Sequence, residues 1–172
     1  MGLINGLPAH VLLVHFVVVL VPLTALALAV CAVRPSVAQR MGIVLPLLAL
    51  VTLVSVPLAT EAGEWLEEHV ADDALVRRHA TLGDGLLPWV GGLFVLAVFV
   101  WWAARRREST GSGASRRSGR SAAAVRVAVA VLSLVVAVGA AVDVYRIGDS
   151  GAKAAWHDGF SKTASDGDGD AD

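Results

Sequence analysis

Histidine is the residue of this chain best suited to hold a metal or carry a proton. Three of the five histidines, His10, His15 and His79, lie near the ends of apolar stretches. Carboxylates occupy similar positions at Glu61, Glu64 and Asp143, and Arg146 follows closely. Neutral imidazoles on separate helices can ligate haem iron from both sides, or bind zinc or copper. Carboxylates beside them can complete a metal shell or fix an imidazole tautomer. Arg77, Arg78 and Arg146 suit the propionates of a haem, because guanidinium matches carboxylate geometry. His69 and His157 read as solvated. The single cysteine, Cys31, excludes an internal disulfide, a C-x-x-C metal site and c-type haem attachment; it reads as a small buried hydrophobe.

The elements that must position these groups follow from composition. Hydrophobic residues make up 56% of the 172 and charged residues 17%, where a soluble domain carries about a quarter charged. Mean hydropathy is +0.67. Segments 9–33, 42–60, 86–104 and 127–142 contain no Asp, Glu, Lys or Arg. A transmembrane helix needs roughly 20 apolar residues. The expected spans are 9–33, 42–60, 86–104 and 121–145, the last with Arg126 snorkelling to the interface. The leader MGLINGLPA has no positive charge and the apolar run after it is long, so the first span reads as retained rather than as a signal peptide. The expected fold is an all-α, four-helix transmembrane bundle with up-down topology.

Loop charge predicts the orientation. Arg34 and Arg40 lie between spans one and two, and six arginines against Glu108 lie between spans three and four. Between spans two and three, seven acids face only Arg77 and Arg78. The positive-inside rule then places both basic loops in the cytoplasm and both termini outside. Trp101 and Trp102 fit the inner interfacial belt, and Trp65, Trp89 and Tyr145 the outer one. Residues 105–120 form a basic cytoplasmic linker. Without interleaved aromatics it carries no nucleic-acid reading. Residues 161–172 read as a disordered acidic tail; Asp166, Asp168 and Asp170 resemble the start of a calcium loop but no position-12 Glu follows. Segment 64–76 is expected to form a short extracytoplasmic interfacial helix. Span three has a place to kink near Gly83, Gly85 and Pro88.

No ionisable residue sits at mid-depth, which argues against a pump, a channel or an ion-coupled transporter. Thr24, Thr52, Ser55 and Ser133 are the mid-span polar groups, expected to bond to backbone or neighbouring helices. The outer ends differ. Counting outward from the basic loops, His10, Glu64, His79 and Asp143 all fall about 35–39 Å out, one from each span. His15 and Glu61 lie about one turn deeper. His10 and His15 are about 140° apart around their helix, so only one can point squarely into the bundle. No histidine lies near the inner face, which leaves room for one haem at most.

Several of these residues also carry a resemblance. Gly6-Leu7-Pro8-Ala9-His10 through Val14-His15-Phe16, Arg78-His79-Ala80 and Val144 to Ala152 with Trp156 resemble the bacterial membrane family called domain of unknown function 2231. Members of that family often have Pro after the first His and after the Phe; here those positions are Val11 and Val17, which changes the helix geometry. The resemblance implies a bacterial inner membrane location, leaves the activity unassigned, and points to His10, His15 and His79. Some members are fused to redox domains, which by analogy implies a b-type haem.

The expectation is a binding protein with one haem b or transition-metal site near the extracytoplasmic face, serving electron transfer. His10, His15, His79 and Arg146 would hold a haem; His10, His15, His79, Glu64 and Asp143 would hold a metal. The expected partners are the lipid bilayer and a membrane redox partner or a second copy of the chain, with no nucleic acid. The alternative is a cofactor-free structural or interaction protein. An enzyme is the weakest reading, since no nucleophile motif, H-E-x-x-H or phosphate-binding glycine loop occurs.

Overall fold

The computed structural model of the chain describes residues 3–4, 6–70, 73–109 and 119–156. His157, the acidic tail with Asp166, Asp168 and Asp170, and most of the basic linker lie outside these residues. A two-residue antiparallel ladder, β1 (Leu3–Ile4) and β2 (Leu7–Pro8), precedes the helices. It turns at Gly6, whose φ of 81° glycine adopts without steric cost. The Asn5-Gly6 pair is a hairpin signal, and it was the one cue to strand structure in the sequence.

Six helices follow among the described residues: α1 (Ala9–Val33), α2 (Pro35–Met41), α3 (Val44–Glu67), α4 (Ala74–Asp84), α5 (Leu86–Ser109) and α6 (Gly119–Trp156). Four helical stretches of the described residues are long and apolar enough to cross a membrane. They are α1, α3, the α4–α5 stretch Ala74–Arg107 and Ser121–Trp156 of α6. The charge-free part of the third is 86–104, which lies wholly in α5. In the bundle, α1 packs on α3 and α6, and α5 packs on α3 and α6, so the four long helices close a ring.

The helices overrun the charge-free stretches because charge marks where hydrocarbon ends, not where a helix must end. Thus α3 continues through Glu61, Glu64 and Glu67, residues with good helix propensity. The expected interfacial helix over 64–76 is replaced by two pieces. Residues 64–67 finish α3, and the separate helix begins at Ala74, where the Asp73 side chain accepts a hydrogen bond from the Leu75 N–H at 3.1 Å. That is an ordinary N-cap, satisfying a backbone donor the helix leaves open. Helix α4 ends at Gly85, and α5 starts afresh with Pro88 in its first turn. The expected kink in span three is therefore a break between two helices. At the opposite end, α2 fills the α1–α3 connection, with Pro35 opening it and Gly42 at φ 51° closing it.

Val21, Thr24 and Leu28 of α1, Leu45 and Thr52 of α3, and Val90 and Leu93 of α5 are fully buried along the bundle axis. Large apolar residues such as Phe16, Leu26 and Val95 face outward. This pattern is natural where lipid, not water, is the solvent. The mid-depth hydroxyls behave as expected, with one exception. The Thr24 and Thr52 hydroxyls meet at 2.7 Å, and Thr52 donates to the Leu48 carbonyl, so Thr24 donates to Thr52. Ser55 donates to the Thr52 carbonyl at 2.8 Å. Ser133 is buried without a hydrogen-bond partner. Trp101 and Trp102 lie beneath Arg105 and Arg106, whose guanidinium carbons stand 5.7 and 3.8 Å from the ring centroids. The Trp89 indole lies against Gly139 of α6.

Candidate functional site

The end of the bundle opposite Arg34 and Arg105 carries the histidines. His10 sits one residue into α1, half-buried. Its Nδ1 lies 2.9 Å from the Ala59 carbonyl, which ties α1 to α3. The ring also rests on Gly63, where a Cβ would stand 3.0 Å from Nδ1 and 3.1 Å from Cε1. Only a residue without a side chain leaves that space at no cost.

His79, in α4, is held in a similar way by α6. Its Nδ1 lies 3.0 Å from the Ser150 hydroxyl and 3.2 Å from the Ile147 carbonyl. Ser150 itself donates to the Ile147 carbonyl at 2.8 Å, so the imidazole N–H is the donor to both oxygens. A Cβ at Gly151 would stand 2.9 Å from His79 Cε1. Both imidazoles thus have Nδ1 engaged as a donor. A neutral imidazole has one donor and one acceptor nitrogen, so Nε2 of each carries the lone pair. The two rings stand edge to face, with centroids 6.1 Å apart and planes at 82°.

Helix α4 carries Arg77, Arg78 and Asp84 and lies beyond the apolar part of span three. Burial of His79, then the charge that protonated His10 would bring, hold its imidazole below the ordinary value of 6.5. The hydrogen bond to Ile147 pulls the other way.

Of the expected layer, the structure brings His10 and His79 together and leaves the rest apart. His15 is exposed and donates from Nδ1 to the Val11 carbonyl of its own helix. Its 140° offset from His10 turns it outward. Glu61 and Glu64 are exposed. Asp143 is half-buried, and its Oδ2 is buried without a hydrogen-bond partner, 3.8 Å from where a Cβ on Gly85 would lie. Among the described residues no three His, Cys, Asp or Glu side chains gather as a metal cage. The five-residue metal set His10, His15, His79, Glu64 and Asp143 is therefore not assembled. His69 is exposed and stacks on Trp65, with centroids 4.1 Å apart. Arg146 is exposed and lines a small groove between α4 and α6, together with Arg78.

Sequence reasoning missed the groups that seat the imidazoles: the Ala59 and Ile147 carbonyls, Gly63, Ser150 and Gly151. Backbone carbonyls leave no trace in residue type. The glycines do, because a glycine inside a helix costs about 1 kcal/mol relative to alanine and calls for a packing reason.

No curated protein and no solved structure matches this chain. One family does, over residues 6–164, and its description agrees with the four spanning helices. With nearly the whole chain covered, the protein belongs to the family of predicted membrane proteins designated DUF2231.

Proposed function

We propose that the protein is a membrane binding protein whose His10 and His79 form a two-imidazole site for haem b, serving one-electron transfer. The observation that carries this reading is the shared state of the two rings. Each has Nδ1 fixed by an oxygen on a neighbouring helix and Nε2 left as the free base. Metal-ligating histidines are held in this way, because the second hydrogen bond sets both tautomer and ring orientation. Spacing supports it too. Two metal–nitrogen bonds of about 2 Å plus the half-width of each ring separate collinear imidazole centroids by about 6 Å, and here they stand 6.1 Å apart.

The donor set favours haem over a bare ion. A haem supplies four equatorial nitrogens and asks the protein for two axial ligands. A zinc ion asks for three or four side chains, and no such group is present among the described residues. The arginines of α2 and α5 support an orientation with that end in the cytoplasm of a bacterial cell and the histidine end outside.

Purified in mild detergent, the protein is expected to show a Soret band with one haem per chain. His10→Ala and His79→Ala should abolish it, and His15→Ala should leave it. A wild-type protein with no Soret band and no stoichiometric iron, copper or zinc overturns the proposal.

One observation favours a second reading. The same hydrogen bonds clamp α1 to α3 and α4 to α6, so the histidines serve a cofactor-free structural or interaction protein equally well. On that reading Gln at positions 10 and 79 keeps the native assembly intact.

A further inference from the structure

We propose that the groove between α4 and α6 is a headgroup site for an anionic phospholipid, with Arg78 and Arg146 as the phosphate-binding pair. Both arginines line this groove, one from each helix. Among the described residues neither has a carboxylate partner. The nearby acid is already engaged, since Lys153 reaches Asp149 at 2.7 Å. The groove thus presents three cations against one carboxylate, and two of the cations are uncommitted.

Depth and shape select the ligand. Arg146 lies four residues past Val142, the end of the charge-free run, and so about 6 Å beyond it. A bilayer is about 30 Å thick in hydrocarbon and about 40–45 Å with its headgroups, which places Arg146 in the headgroup layer. The cavity measures about 100 Å³. At about 30 Å³ per water-sized group, it admits a phosphate and its near substituents but no macrocycle. Leu75 and Leu82 form apolar walls beside the cations, as a glycerol backbone and the first acyl carbons require. Tyr145, which is 75% exposed, adds an amphipathic ring at the mouth. Paired guanidiniums bind phosphate through charge-assisted, bidentate hydrogen bonds. The groove shares Ser150 with the His79 seat, yet neither His10 nor His79 lines it. The proposal stands whether or not the imidazoles hold a haem.

The test offers the detergent-solubilised protein equal amounts of phosphatidylglycerol and phosphatidylcholine, with native mass spectrometry and thermal stability as readouts. The expected result is one retained phosphatidylglycerol and a higher Tm with that lipid only. Arg78→Gln and Arg146→Gln should each weaken retention about fivefold. Arg126→Gln, at the far end of α6, should leave it unchanged. Equal retention of the two lipids by the wild type overturns the proposal without reference to any variant. So does undiminished retention in the Arg78→Gln/Arg146→Gln protein. Stabilisation by millimolar inorganic phosphate equal to that by the lipid would identify a soluble-anion site instead and overturn the lipid assignment.

Discussion

Two glycines decide how closely the imidazoles can rest on their neighbouring helices. A methyl group at position 151 would fall within 2.9 Å of His79, and one at 63 within 3.0 Å of His10. Gly151→Ala should therefore displace His79 and loosen its bonds to Ser150 and Ile147. If the pair binds haem, the Soret band should weaken or shift while the protein still folds; an unchanged spectrum would count against the seating role. His79 also sets a pH dependence. Folding lowers its affinity for protons, so the unfolded chain is the better acceptor. Stability should be full above about pH 6.5, the unfolded value, and should fall as the pH drops below it, until the folded imidazole itself is protonated. Thermal melts between pH 7.5 and 5 should show this slope in the wild type and a smaller one in His79→Gln.

At the scale of elements, the contacts of Gly139 and Thr24 differ sharply in weight. A Cβ at 139 would collide with Trp89 Cζ3, and an indole cannot yield at its ring edge. Gly139→Ala should cost about 1–3 kcal/mol, the usual penalty of overpacking, and should lower Tm in detergent. Thr24→Val removes one interhelical hydrogen bond, worth about 0.6 kcal/mol on average in membranes, and Tm should hardly move. These elements were legible in the sequence to different degrees. Helix α1 matches its charge-free run at both ends, since the membrane demands it. Helices α3 and α6 outrun theirs, because glutamates, arginines and alanines continue a helix well into water. Asp73 held the signal for the start of α4. The site was half legible: the depth count put His10 and His79 at one level, but could not tell that Glu64 faces outward. Depth follows from counting residues, whereas facing depends on how neighbouring helices are rotated.

For the whole molecule, four spans among the described residues put the start of α1 and the end of α6 on one side of the membrane. In the orientation proposed from the arginines, that side is outside the cell. The native Cys31 is buried and offers no background to labelling. Ala155→Cys, exposed at the end of α6, should react with an impermeant maleimide in intact cells. Ser36→Cys, exposed in α2, should react only after permeabilisation. The opposite result would reverse the orientation.

Helix α6 spans all of these depths as one unbroken rod of 38 residues. It is keyed at two levels on nearly the same stripe: Gly139 beneath the Trp89 indole, and Ser150 beneath His79. Eleven residues separate the two keys, about 16 Å along the axis and about 20° around it. A turn of the rod by one residue, about 100°, would drive a side chain into the indole and carry the hydroxyl away from the imidazole at the same moment. Slippage at one depth is thus reported at the other, and the histidine end keeps its alignment only while the middle of the bundle keeps its own.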